Sequence, residues 1–259
     1  MALISIITIN YNNLEGLKKT MNSVINQTWQ EFEYIVIDGG STDGSAAFIE
    51  SKNDKIDYWV SEKDSGIYNA MNKGITKANG EYLLFLNSGD HFFSDMVLSE
   101  NLSKISDYDL IYFNVLLIDK KSAKTISYPE KLTFSFFYER TLCHQATLIR
   151  KELFSIMGLY DENLIFVSDW KFFILSICKF NHSYVRIDSV LSTFYLDGLS
   201  SVPENKKQIK LERIKILKEE FSAFMSDIYE LEKYQNLIYS LRKSKKLNFL
   251  IKLGLINKF

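Results

Sequence analysis

The chain has 259 residues, 46 % apolar and 24 % charged, a make-up that excludes a disordered or fibrous protein. Its 31 basic and 32 acidic side chains leave a formal charge of −1, so no global field argues for nucleic acid as a partner. The length suits one domain with a large core, or one domain with an appendage.

Leu3 to Ile9 is a β-branched run that reads as a buried strand, and Leu14, Leu17, Met21, Val24 and Ile25 then recur at helical spacing. Tyr34 to Ile37 is a second buried strand, ending at Asp38-Gly39-Gly40, with a short helix from about Asp43. Asp57 to Val60 reads as a third strand, Ile67 to Lys77 as a helix and Glu81 to Leu86 as a fourth strand. Such alternation with short loops predicts an α/β fold with a mixed, mostly parallel sheet flanked by helices. Leu110 to Ile118 and Ala146 to Ile149 look like further strands, Asp169 to Lys179 like a helix, and Tyr184 to Phe194 like strand material around a turn. From Glu204 to about Ser244 the chain is nearly free of Gly and Pro and rich in Lys, Glu, Leu and Ile, which predicts a helical extension. The expected division is a domain over 1–203, made of halves 1–105 and 106–203, followed by the extension 204–259.

No stretch approaches the ~20 apolar residues of a membrane helix. The strand-like run so close to Met1 leaves no room for a signal peptide, so a cytoplasmic protein is expected. Cys143 and Cys178 have no metal-type spacing and read as buried free thiols.

Ligands of such sheets bind outside the carboxyl ends of the strands. Polar clusters stand at those ends: Asn10-Tyr11-Asn12, Asp38-Gly39-Gly40-Ser41 and Asn87-Ser88-Gly89-Asp90. Asp38 reads as an acceptor for the imide N–H of uracil, beside glycines that allow a close approach, whereas Asp43 reads as a helix cap. Asp64 precedes a helix whose opening N–H groups can face a diphosphate. It suits a base, a ribose or a cap, and Lys73 suits a phosphate. Asp90 at the turn after a buried strand is a candidate ligand for a divalent cation that bridges two phosphates. The spacing alone equally describes an Asx turn.

Ile6-Ile7-Thr8-Ile9-Asn10-Tyr11-Asn12, Val36 to Ser45, Asp64 to Gly74 and Asn87 to Asp90 together resemble glycosyltransferase family 2, in particular its bacterial surface-polysaccharide members. The resemblance runs from residue 3 to about 200, most tightly over the first ninety residues. It implies a GT-A (Rossmann-like) fold, a UDP-sugar donor, Mn2+ or Mg2+, and inversion at the anomeric carbon. Donor binding then falls to Thr8, Asn10, Tyr11, Asp38, Asp64, Lys73, Asn87 and Ser88, and metal binding to Asp90. Many relatives carry further carboxylates where this chain has Asn87 and Gly89. The family's common Glu-Asp pair is here Ser168-Asp169, which implies Asp169 as the general base that deprotonates the acceptor; a cap for the following helix is the plainer reading. His144, Gln145 and Trp170 are the acceptor-side candidates, with a structural histidine and core packing as their alternatives. Leu196 to Ser201 resembles a family loop near the donor phosphates.

The tail carries Arg242, Lys243, Lys245, Lys246, Lys252 and Lys258 with no acid after Glu232, among Leu247, Phe249, Leu250, Leu253 and Ile256. That pattern suits either an anionic membrane surface or packing on the catalytic domain or another subunit, including a homo-oligomer. With the resemblance it implies an acceptor that is a lipid-linked sugar diphosphate at the inner face of the membrane. The competing function is a non-catalytic nucleotide-binding or scaffold protein of the same fold.

Overall fold

The computed structural model describes residues 2–105, 107–119, 122–196 and 202–257. The chain divides into two compact units, 1–209 and 210–259. In the first, β1 (Ile4–Asn10), β2 (Glu33–Asp38), β3 (Tyr58–Ser61) and β4 (Tyr82–Phe85) alternate with α1 (Leu14–Ile25), α2 (Ser45–Glu50) and α3 (Ile67–Lys77). Then come β5 (His91–Phe92), α4 (Val97–Asn101), β6 (Leu110–Asp119), β7 (Ser122–Ile126), α5 (Phe134–Glu139), β8 (Thr147–Arg150), α6 (Glu152–Met157), α7 (Ser168–Cys178) and β9 (Tyr184–Tyr195).

The sheet runs β3-β2-β1-β4-β8-β6-β9-β5, with β7 on β6. Its first four strands pair in parallel, as do β6 and β9, while β8 joins the halves antiparallel to both β4 and β6. The expected mixed, mostly parallel α/β architecture is therefore what forms. Every residue of β1 is buried, which is why its apolar run does not alternate: the strand is covered on both faces. Gly74 lets α3 lie close to β1, since a Cβ there would stand 2.5 Å from Ile7 Cγ2. The order places β2 and β3 on one side of β1 and β4 on the other, so the loops after β1 and β4 flank the crevice where this topology binds ligands.

The expected turn inside residues 184–194 is instead a bulge. β9 is continuous, but its register against β6 shifts around Asn114, and Asn114 Nδ2 donates to Asp188 Oδ1 at 2.9 Å. Asn114 Oδ1 stays buried without a hydrogen-bond partner, so the bulge pairs only one end of that amide. β5, β7, α5 and α6 are too short for periodicity to reveal.

The second unit holds the rest of α8 (Lys206–Glu220), with α9 (Ser222–Lys243) and α10 (Lys245–Lys252). Leu231, Tyr234, Leu237, Ile238 and Tyr239 on α9, and Phe249 on α10, are exposed. Among the described residues, no helix is long and apolar enough to cross a membrane. Of the tail's basic side chains, Lys258 lies outside those residues.

Trp170 corrects an expectation. It is 1 % exposed and its Nε1 donates to Phe137 O at 2.7 Å, so it belongs to the core and offers no face to a sugar. Replacing Trp170 by Ala is expected to cost about 3–5 kcal/mol through the cavity it leaves, measurable as a fall in the urea midpoint.

Candidate active site

The end of β2 is built around Asp38, which pairs in register with Asn10 at the end of β1. Its Oδ1 accepts from Asn10 Nδ2 (2.7 Å) and Ser41 Oγ (2.6 Å), and its Oδ2 from the Ser41 N–H (2.9 Å) and Ser61 Oγ (2.6 Å). Burial alone would raise its pKa, but the hydrogen bonds from Ser41, Ser61 and Asn10 outweigh that and hold it below the ordinary carboxylate range. Asp38 thus ties the ends of β1 and β3 to the turn after β2, with its oxygens engaged by Asn10, Ser41 and Ser61. The side chain of Thr8 is fully buried, with its hydroxyl 3.1 Å from Tyr34 Oη. Asp43 accepts from the Leu14 N–H at 2.8 Å and from the N–H and hydroxyl of Ser45, but the N-cap position of α2 is Gly44, so Asp43 stands one residue before the cap it was expected to be.

Tyr11, beyond β1, is 67 % exposed, and Asn10 Oδ1 is buried without a hydrogen-bond partner. Asp64 lies in the loop before α3, where Oδ1 accepts from the Gly66 N–H at 3.2 Å. Asn69 Oδ1 takes the Ser65 N–H, in the loop before the first turn of α3. Lys73 pairs with Glu62 at 2.8 Å and donates to Lys63 O.

The turn after β4 is organised by Thr20 of α1. Thr20 Oγ1 donates to Asp90 O (2.6 Å) and accepts from the Gly89 N–H (2.9 Å), while Asn13 Nδ2 donates to Ser88 O (3.1 Å). Asn87 Oδ1 and Ser88 Oγ are buried with no hydrogen-bond partner. Together with the Asp90 carboxylate they are hard oxygen donors, the kind that Mg2+ and Mn2+ take. Among the described residues, no group of three or more His, Cys, Asp or Glu side chains is placed to hold a metal ion.

Asp169 lies in the first turn of α7 rather than at its cap, which is Val167. Oδ1 accepts from Tyr68 Oη (3.0 Å) and the Trp170 N–H (2.9 Å), and Oδ2 lies 3.0 Å from His144 Nδ1. Burial would raise the pKa of Asp169, yet the hydrogen bond and charge of His144, the Trp170 N–H and the Tyr68 hydroxyl bring it below the usual value. For His144, burial opposes the imidazolium, but Asp169 and then the charge of Asp90 outweigh it and raise the pKa. His144 Nε2 meets Asn87 Nδ2 at 3.2 Å. His144 therefore lies within the reach of both Asp90 and Asp169 and joins the turn after β4 to α7. Gln145 beside it is buried, 4 % exposed, and presents almost no surface to a sugar. Burial pushes the thiols of Cys143 and Cys178 up to about 11; both are free and only partly exposed.

Tyr68, Thr20, Asn72 and Glu162 are the site residues that pattern reading missed. Asn72 exchanges hydrogen bonds with the Tyr160 backbone (2.9 and 3.0 Å) and, like Asn69, donates to Glu162. The one available signal was polar side chains recurring at i, i+1 and i+4 on α3. The expected phosphate-side loop, residues 197–201, lies outside the described residues.

The family model for glycosyl transferase family 2 matches residues 5–163. An uncharacterized glycosyltransferase of Mycobacterium tuberculosis is 32 % identical over 205 residues, covering 76 % of this chain and 77 % of its own. A PGL/p-HBAD biosynthesis glycosyltransferase of Mycobacterium bovis is 29 % identical over 219 residues, 80 % of this chain and 83 % of that one. Among solved structures, residues 1–349 of Staphylococcus aureus TarS in complex with UDP align with TM-score 0.62 at 19 % identity. That alignment covers 75 % of this chain, which spans only 60 % of the TarS fragment. The mannosyltransferase PcManGT of Pyrobaculum calidifontis, in complex with GDP-Man and Mn2+, aligns with TM-score 0.62 at 13 % identity over 97 % of this chain and 79 % of its own. At these identities the two structures speak to the fold alone.

Asp38→Ala would strand the donors of Asn10, Ser41 and Ser61 and is expected to cost about 2–3 kcal/mol. A depressed pKa stabilises the fold above the ordinary carboxylate range, and the contribution is lost as pH falls through the folded-state value. The gap between wild type and variant should therefore close on acidification, as followed by urea denaturation from neutral into acid pH.

Proposed function

The chain belongs to glycosyl transferase family 2, and on that premise we propose an inverting glycosyltransferase that moves a hexose or N-acetylhexosamine from a UDP-sugar to a sugar acceptor. The observation that supports this reading is the chain of contacts through His144, whose Nδ1 lies 3.0 Å from Asp169 Oδ2 and whose Nε2 lies 3.2 Å from Asn87 Nδ2, in the turn that carries Asp90. Inversion needs a base on one face of the transferred sugar and a leaving group held on the other, and this site offers one carboxylate for each.

Asp169 is the base. Its low pKa keeps it ionised at neutral pH. Oδ1 already accepts two hydrogen bonds, whereas Oδ2 accepts one and keeps a lone pair. The acceptor hydroxyl gives its proton to Oδ2 as its oxygen bonds to the anomeric carbon and the bond from that carbon to the diphosphate oxygen breaks. Tyr68 and His144 hold the carboxylate in place. A divalent cation, Mn2+ or Mg2+, held by Asp90 with the unpartnered oxygens of Asn87 and Ser88 beside it, would neutralise charge on the departing diphosphate.

The acceptor is a lipid-linked sugar diphosphate of O-antigen or capsule synthesis, met at the inner face of the cytoplasmic membrane. Arg242, Lys243, Lys245, Lys246 and Lys252 stand among exposed Tyr239, Phe249, Leu253 and Leu255, the mixture that seats a helix on anionic headgroups. Each basic residue near such a surface contributes about 1 kcal/mol.

Asp169→Asn is expected to lower UDP release from UDP-glucose, UDP-galactose and their N-acetyl forms by roughly 10²–10⁴-fold while UDP binding persists. Wild-type turnover in that variant removes Asp169 from the mechanism. For the membrane contact, sedimentation with phosphatidylglycerol-containing liposomes should be salt-sensitive and should vanish on deletion of 242–259. An intact protein that stays in the supernatant at low salt ends that part of the reading.

A further inference from the structure

α9 is a helix of 22 residues, and its residues 233–243 are all exposed. A helix in water owes most of its stability to an apolar face packed on something else, and here that face is bare. Its apolar side chains are not scattered. Phe224, Leu231, Tyr234, Ile238 and Leu241 are each between 36 and 59 % exposed. Counted with Asp227, they recur at alternating steps of three and four residues. A repeat of about 3.5 residues is the narrow seam of a two-helix coiled coil, whereas a helix lying on a domain or a membrane shows a broader stripe. Tyr239 lies off the seam, with Lys243 Nζ 4.4 Å from its ring centroid.

The spacing is self-complementary. Run antiparallel, two copies of α9 set Phe224 on Leu241, Leu231 on Tyr234 and Asp227 beside Ile238, about a two-fold axis between residues 232 and 233. Charge then chooses the direction. Asp227, Glu230 and Glu232 fall in the first part of the seam, and Arg242 and Lys243 close it. In the antiparallel pair, Asp227 of one copy meets Arg242 of the other, which stands one turn past Ile238. In a parallel pair, Asp227 would face Asp227 and Arg242 would face Arg242, and like charges repel.

We propose that α9 is a dimerisation helix that pairs antiparallel with α9 of a second copy of this chain, along Phe224, Leu231, Tyr234, Ile238 and Leu241, its direction set by Asp227 and Arg242. The pairing leaves Lys245, Lys246 and Lys252 of α10 for a headgroup surface. It stands apart from the reaction assigned to the first unit.

The test is sedimentation equilibrium of the full chain in lipid-free buffer at micromolar concentration. The wild type should weigh as two copies, and Leu231→Asp with Ile238→Asp as one. Asp227→Arg puts two guanidinium groups together and should weaken the dimer by about tenfold or more. Adding Arg242→Asp to it should restore the dimer, since the pair is then only reversed. A wild type that sediments as one copy overturns the proposal, even if it binds liposomes through α9, and so does one that sediments as three or more. A dimer that survives Leu231→Asp with Ile238→Asp places the interface elsewhere and overturns it too. A dimer that Asp227→Arg leaves unchanged, or that Arg242→Asp fails to restore, overturns the antiparallel seam.

Discussion

Two segments distant in sequence meet on the carboxylate of Asp169, beside the N–H of its own neighbour. Tyr68 comes from the first turn of α3, His144 from the turn before β8 and the Trp170 N–H from α7, while Asn87, beyond His144, comes from the end of β4. A charge taken out of water is tolerable only with such compensation, so the donors cannot be placed independently of one another. The folding of the two halves onto the shared sheet through β8 is what brings them to one point. The same contacts that offset the burial of Asp169 fix where its free lone pair points, so here stability and positioning are one property.

Acidic side chains at strand ends look alike in a sequence, yet they divide here by what their oxygens already hold. Asp38 and Asp43 spend theirs on backbone N–H groups and serine hydroxyls and hold the loops after β1 and β2 in shape. Asp64 accepts one hydrogen bond, from the Gly66 N–H. Scaffolding by the first pair is what allows the second kind of residue to be held ready, since a loop that moved could not present an acceptor at a fixed place. Thr20 plays the same part for the turn at Asp90, from within the apolar stripe of α1.

The C-terminal unit follows other physics. α9 exposes large apolar side chains on several sides, and α10 combines Phe249 and flanking Leu253 with lysines. A helix of that kind is stabilised by a surface that accepts both apolar and cationic groups.

The parallel half of the sheet was legible because β-branched runs and 3.6-residue spacing report burial locally; Ile67 to Lys77 is a helix from its first residue to its last as expected. The polar clusters at the strand ends were legible too, since the topology puts them at one edge. Which of their members are open to a ligand was not. Trp170 and Thr8 fit a binding pattern and lie in the core, and Tyr68 fits none yet donates to a carboxylate 101 residues away. Local sequence determined the elements and the chemical groups they carry. Only the tertiary structure decided which lone pairs remain unused, because each is consumed or spared by partners that no short-range pattern relates to it.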